Sequence, residues 1–250
     1  MKKTSFILLL CIISAIARTQ QPFFDQMSGY YGYKDKSGQV VIQPKYQNAN
    51  GFSEGLAAVT VANFKWGYID ESGKEVIAAK YDNADFFSEG LAKVRLGGKK
   101  GYIDKTGKEI IAIIYEDAGI FREGLSAVKS NGKWGFIDRS GKEIVTAKYD
   151  GAGTFNNGIC GVQTGDKWGF IDKTGKEITT QQYDYIGVFS EGLGAVKQNG
   201  KCGFVDKNGQ LVIPMVYEYD FLIPSFSKGK AKVKQNGRTF YIDNTGKEVQ

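Results

Sequence analysis

Apolar and polar residues alternate with a period of two through short runs along most of this chain, and glycine-containing turns separate the runs. Period-two alternation over a few residues is the signature of a β-strand with one face toward a core. In Glu143-Ile144-Val145-Thr146-Ala147-Lys148-Tyr149, for example, Val145, Ala147 and Tyr149 share one predicted face. Upstream, the runs Gly124 to Lys129 and Trp134 to Asp138 flank Asn131-Gly132. Both turn residues accept positive φ, which makes Asn-Gly between two such runs a strong β-hairpin signal. Asn199-Gly200 and Asn236-Gly237 repeat it, and Gly97-Gly98 substitutes for it. Asp138 and Gly141 frame a second turn, in which the Asp side chain can accept from turn amides. The predicted element is a three-stranded meander.

The same element recurs. An aromatic-hydrophobic-Asp motif ends at Asp35, Asp70, Asp104, Asp138, Asp172, Asp206 and Asp243, with steps of 35, then 34 four times, then 37. A glycine stands three positions after each aspartate, and a tyrosine (Tyr46, Tyr81, Tyr115, Tyr149, Tyr183, Tyr217) eleven after the first six. A 34-residue period is also that of paired-helix arrays, but the turn chemistry and strand periodicity favour β-structure. A small meander cannot bury an apolar face alone, so neighbouring units must stack. The repeated tyrosine, and the phenylalanine six residues later (Phe52, Phe87, Phe121, Phe155, Phe189, with Phe226 in the last unit), are the expected inter-unit packing residues. The fold expectation is all-β: a tandem array of about seven three-stranded meanders of roughly 34 residues, open and solenoid-like. A closed propeller-like ring is the alternative. Irregular ends favour the open form: no convincing strand precedes Tyr31, and Phe240 replaces a glycine found in six other units.

These residues resemble the WG-repeat family of bacterial proteins. The family text stands as Lys65-Trp66-Gly67-Tyr68-Ile69-Asp70, Lys133-Trp134-Gly135-Phe136-Ile137-Asp138 and Lys167-Trp168-Gly169-Phe170-Ile171-Asp172. Elsewhere Tyr31, Lys100, Cys202 or Thr239 replaces the tryptophan. The resemblance covers nearly all of residues 31–250. It implies tandem β-repeats in a protein of an often exported kind, and brings no catalytic activity with it.

Residues 1–17 read as a secretory signal: Lys2 and Lys3, an apolar stretch from Phe6 to Ile13, then Ala15-Ile16-Ala17 as a small-x-small cleavage site. The apolar run is well short of the ~20 residues that span a bilayer. Residues 18–30 are then a lead-in and 31–250 the array. The expected location is outside the cytoplasm: periplasm, cell surface or medium. Without Lys2 and Lys3 the formal charge falls from +6 to +4. Lysines and acids are interspersed throughout, with no basic cluster suited to nucleic acid.

Candidate chemistry is sparse. The chain has no histidine, so the commonest general base and metal ligand is missing. The motif aspartates suit turn capping better than calcium, which needs six to eight oxygens. Repeated Glu-Gly pairs (Glu54, Glu89, Glu123, Glu191) also suit turns, whereas glycoside hydrolysis needs two acids in different environments across one cleft. No cofactor motif is present. Trp66, Trp134 and Trp168 are the candidate binding residues, as a ladder for sugar rings or beneath a protein partner; the competing reading is that each only covers the neighbouring unit. Export makes a Cys160–Cys202 disulfide permissible, and the sequence leaves open whether the two thiols meet. The leading expectation is a non-catalytic exported scaffold for a protein partner at the cell envelope. Carbohydrate or cell-wall binding through the tryptophans is the alternative, and an envelope hydrolase a distant second.

Overall fold

The computed structural model describes residues 20–218 and 223–250. The expected signal segment, and residues 219–222 before the last unit, where the repeat step lengthens to 37, lie outside the described residues. The described chain is all-β, relieved by one short 3₁₀ turn, Ala62–Phe64. It forms seven small antiparallel sheets in sequence order. The first sheet has three strands, Gln21–Asp25, Tyr30–Lys34 and Val40–Tyr46, and the other six have four each.

The fourth sheet shows the common plan. A short strand (Asp117–Ala118) pairs with a lead strand (Leu125–Ser130), the lead strand with a motif strand (Lys133–Asp138), and the motif strand with a return strand (Glu143–Tyr149). The lead, motif and return strands are the expected meander. The short strand is additional; at two residues it is too brief to show any periodicity. The first sheet corrects the expectation at the N-terminal end. Gln21–Asp25 is a true lead strand paired along its length with Tyr30–Lys34, although it falls inside the expected lead-in.

Local chemistry fixes each turn. Asn131 and Gly132 both take positive φ (50° and 75°), the geometry of a two-residue hairpin whose twist matches its strands. In the Asp-x-x-Gly turn, Asp138 Oδ1 accepts from the Ser140 hydroxyl at 2.6 Å and from the Ser140 and Lys142 amides. The Gly141 amide closes the turn on the Asp138 carbonyl. Equivalent networks surround Asp35, Asp70, Asp104, Asp172 and Asp243. The hydroxyl hydrogen bond is the main reason that Asp70, Asp104, Asp138, Asp172 and Asp243 titrate below the usual carboxylate range.

The glycine of the WG motif has a steric cause. Register shifts between the motif and return strands, from Trp134↔Tyr149 to Phe136↔Val145, bring return-strand backbone over Gly135. A Cβ there would lie 2.5 Å from the Val145 carbonyl oxygen, and Gly67 faces Ile77 in the same way. In the seventh sheet the return strand is only Glu248–Val249, opposite Tyr241 and Ile242, and Phe240 is accommodated at the corresponding position.

The core lies between sheets. Along a central strand alternate residues face opposite neighbours: Leu56, Ala58 and Tyr68 pack toward the third sheet, and Ala57, Val59 and Ile69 toward the first. Four further interfaces repeat this plan with the same residue types, making six in all. Each is centred on an aromatic pair in which the motif-strand ring meets the phenylalanine of the next unit, with centroids 4.8–5.0 Å apart in tilted or edge-to-face geometry. Such pairs contribute ~0.5–1.5 kcal/mol beyond the area they bury. The inter-unit roles expected of Phe87, Phe121, Phe155, Phe189 and Phe226 are those observed, with all five buried.

The two end faces depart from this plan. In the seventh sheet Lys230 stands where other lead strands carry Leu56, Leu91, Leu125, Ile159 or Leu193, and it lies over the Tyr241 ring at 4.8 Å. Tyr241 remains 38% exposed, and among the described residues no sheet covers its ring. In the first sheet Lys34 replaces the motif-strand Ile and lies over the Phe23 ring at 4.1 Å. A cation drawn over an aromatic ring thus occupies both outer faces. The array of repeated small sheets fits a solenoid-like or a propeller-like fold.

Candidate functional site

Three layers of interaction tie each unit to the next, and they decide which side chains remain for recognition. The aromatic pairs form the middle layer. At the hairpin end, the lysine before each tryptophan reaches an aspartate of the next unit: Lys65 to Asp82, Lys133 to Asp150 and Lys167 to Asp184, each at 2.5 Å. In the third unit Lys100, at the tryptophan position itself, reaches Asp117 instead. The second oxygen of Asp82, Asp150 and Asp184 accepts from the hairpin amides of Gly97, Gly165 and Asn199. These lysine bonds are the chief cause of the lowered carboxyl titration of Asp82, Asp150 and Asp184.

At the opposite end the Glu-Gly turns form the third layer. Glu89 accepts from the Gly124 amide at 2.8 Å, Glu123 from Asn157 and Gly158 at 2.7 and 2.9 Å, and Glu191 from Gly229 at 2.9 Å. Beside them, Ser53, Ser88 and Ser190 donate to the Phe87, Phe121 and Phe226 carbonyls. Every one of these bonds runs from a unit to its successor. The seventh unit has Lys228 at the Glu position. The turn reading of these acids therefore holds, and their bridging role was hidden from the sequence because partners about 35 positions apart leave no local pattern.

Trp66 opens its motif strand and Trp134 and Trp168 stand second in theirs, opposite Tyr81, Tyr149 and Tyr183 of the return strands. All three are half-buried. Trp66 and Trp134 pack against the core on one side. Trp168 borders a cavity of about 160 Å³ with Thr154, Asn156, Gly161, Ile186 and Phe189. Among the described residues no aromatic ring pair joins one tryptophan to another, so the three form a spaced row along the hairpin end rather than a stacked ladder. The position is open to exchange because its side chain lies at the surface in several units, although Cys202 is buried there.

The two thiols do not meet. Cys160 is buried between the fourth and fifth sheets and Cys202 between the sixth and seventh, and both are free. The disulfide expectation is therefore corrected: compartment made it permissible, but the stacking places the thiols in different cores. Burial pushes the Cys160 thiol up to about 12 and raises Cys202 as well.

Among the described residues no group of three or more Cys, Asp or Glu is placed to hold a metal ion. A second cavity, about 240 Å³ and lined by Lys45, Tyr46, Gly67, Glu75 and Ala79, brings together one acid and one lysine. No helix among the described residues is long and apolar enough to cross a membrane.

Fold and motif together define a tandem β-repeat protein built by stacking small sheets. The profile described as "WG containing repeat" matches six tandem copies, at residues 31–63, 66–99, 101–134, 134–168, 168–202 and 203–238, and the chain belongs to that family. Each matched copy begins at or near a motif strand and runs into the lead strand of the next sheet, so sequence repeat and sheet are offset. No curated protein sequence matches the chain. Solved structures resemble it in fold at low identity. A eukaryotic initiation factor structure is 15% identical with a TM-score of 0.56, covering 93% of this chain and 73% of that one. The dihydro-heme d1 dehydrogenase NirN, solved in complex with DHE, is 12% identical with a TM-score of 0.50, covering 93% and 63%. BamB from Moraxella catarrhalis is 12% identical with a TM-score of 0.48, covering 80% and 71%.

Proposed function

We propose that this chain is an exported, non-catalytic scaffold that presents the hairpin end of its array to a protein partner at the cell envelope. The observation that carries the reading is the row of half-buried Trp66, Trp134 and Trp168, each braced by a Lys–Asp bridge to the next unit. Partly exposed aromatics held rigidly on strands suit a binding surface, because ordering them on contact costs little entropy. Identical chemistry once per unit suits an extended partner. It does not suit catalysis, which needs one unit to differ in its acids or nucleophiles. Export rests on the signal-like residues 1–17.

A second reading is favoured by one feature: the Trp168 cavity combines an aromatic wall with Thr154 and Asn156, a combination suited to a sugar. One experiment separates the two. The chain from Arg18 is used for crosslinked capture from envelope extract, beside a triple variant with Trp66, Trp134 and Trp168 changed to Ala. A stoichiometric protein retained by the parent and lost by the folded variant supports the scaffold. Retention on wall glycan, lost in the same variant, moves the assignment to carbohydrate. Protein capture that survives all three changes removes the tryptophan row as the site.

A further inference from the structure

The return strand of the third sheet, Glu109–Tyr115, is an edge: the motif strand pairs with one side of it, and among the described residues no strand pairs with the other. Its outward face carries Lys108, Ile110, Ala112, Ile114 and Glu116 at period two, all exposed, with Ile114 at 62% and Ile110 at 37%. Corresponding faces elsewhere contain a residue that discourages pairing. Lys45, Lys80 and Lys148 occupy the Ile114 position in the first, second and fourth units, and Gln182 in the fifth. The sixth has Val212 and Val216, but Pro214 stands between them and lacks an amide hydrogen. Lysine and proline are the usual means of protecting a sheet edge. Among the full-length return strands only the third presents two exposed isoleucines on this face with no lysine, glutamine or proline within the strand.

The unprotected face is also a palindrome in charge and polarity. When two copies of the strand pair antiparallel about Ala112, Ile110 meets Ile114, Ala112 meets Ala112, and Lys108 meets Glu116 at both ends. We propose that a second copy of this chain is the occupant of this edge, forming a two-fold dimer through strands 109–115. The two-fold pairing is isologous, so it closes at two chains and leaves no further edge of this kind. The charge pairs set the register, since a slip of two residues takes Lys108 away from Glu116 and leaves both apolar rows misaligned. The proposal is independent of the partner and glycan readings.

One seven-residue pairing buries less than the ~1,200–2,000 Å² of a standard stable interface, so the dimer is concentration-dependent. Sedimentation equilibrium across the micromolar range should show the average mass rising toward twice the monomer. Ile114→Lys should raise the dissociation constant at least ~10-fold, which is about 1.4 kcal/mol. The fold tolerates lysine here, as three other units show, and a control change Val76→Lys on the corresponding face of the second unit, at the position matching Ile110, should leave the mass curve unchanged. Ala112→Cys should link two chains on mild oxidation, because directly opposed residues have Cα atoms ~4.5–5.5 Å apart, within disulfide reach. A parent chain that stays monomeric throughout overturns the proposal. So does a dimer that persists in Ile114→Lys, or an Ala112→Cys variant that links no better than Val76→Cys.

Discussion

Tyr149 separates ring packing from hydroxyl bonding at a single position. Its side chain is 1% exposed and lies in the core between the fourth and fifth sheets, among Leu125, Phe136, Val145, Phe155 and Ile171. Its hydroxyl is buried without a hydrogen-bond partner among the described residues. Truncation to Ala removes on the order of 150 Å² of apolar surface, or about 4 kcal/mol at ~25 cal/mol per Å². Cores elsewhere lose about 3–5 kcal/mol on such changes. At ~2–4 °C per kcal/mol for a chain of this size, the melting temperature should fall by roughly 8–16 °C. Tyr149→Phe keeps the ring and removes an unpaired polar group, so it should be neutral or stabilising by up to about 1 kcal/mol. Tyr68→Phe is the contrast: the Tyr68 hydroxyl donates to the Asp85 carbonyl at 2.7 Å, and losing that bond should cost about 1 kcal/mol. Thermal melts by far-ultraviolet circular dichroism, with urea midpoints, measure all three. An unchanged melt for Tyr149→Ala refutes the core assignment. A Tyr149→Phe cost equal to that of Tyr149→Ala refutes the division between ring and hydroxyl.

Gly135→Ala sets a new Cβ 2.5 Å from the Val145 carbonyl oxygen; it should destabilise by at least ~2 kcal/mol, and a near-neutral urea midpoint would contradict the steric account of the WG glycine. Glu123→Ala leaves the Asn157 and Gly158 amides without their carboxylate; a loss of about 1–2 kcal/mol is expected at this half-exposed site, and equal stability would show that the bridge contributes nothing. The carboxyls of Asp70, Asp104, Asp138, Asp172 and Asp243 are lowered from 3.8 in the folded chain. Their contribution is therefore fully present above the unfolded value and is lost as pH falls through the folded one. Urea midpoints should stay level across neutral pH and drop below about pH 4, and Asp138→Asn should flatten that acid limb slightly; an acid limb identical in the two proteins would exclude the turn carboxylate as a source.

Much of this architecture was legible in the sequence because its causes are local. Asn131-Gly132, the Asp-x-x-Gly turns and the alternation in Glu143–Tyr149 each involve neighbouring residues, and the period returns the Asp-x-x-Gly turn seven times. The features that escaped are non-local or too short. Asp117–Ala118 pairs over two residues, and Gln21–Asp25 contains a proline that weakens its strand signal. The Glu123 bridge to Gly158 and the Lys133 bridge to Asp150 exist only once the sheets stack. The separation of Cys160 from Cys202 likewise depends on which interface each strand face meets. The tryptophans were recognisable as half-buried from the variety of residues at their position, but their spacing as a row rather than a ladder follows from the stacking.

The offset between sequence repeat and sheet has a consequence for how such a chain changes length. A copy that begins at a motif strand ends within the following sheet, so duplicating or deleting 34 residues inside the array splices half of one sheet to half of another. Because the halves are interchangeable, the recombined sheet is complete and both of its faces find the partners they expect. The first and seventh sheets differ from the rest, with Lys34 over Phe23 in one and Lys230 over Tyr241 in the other. The array is in this sense a ruler whose divisions can be added or removed, and its length can be retuned in evolution or by design one division at a time.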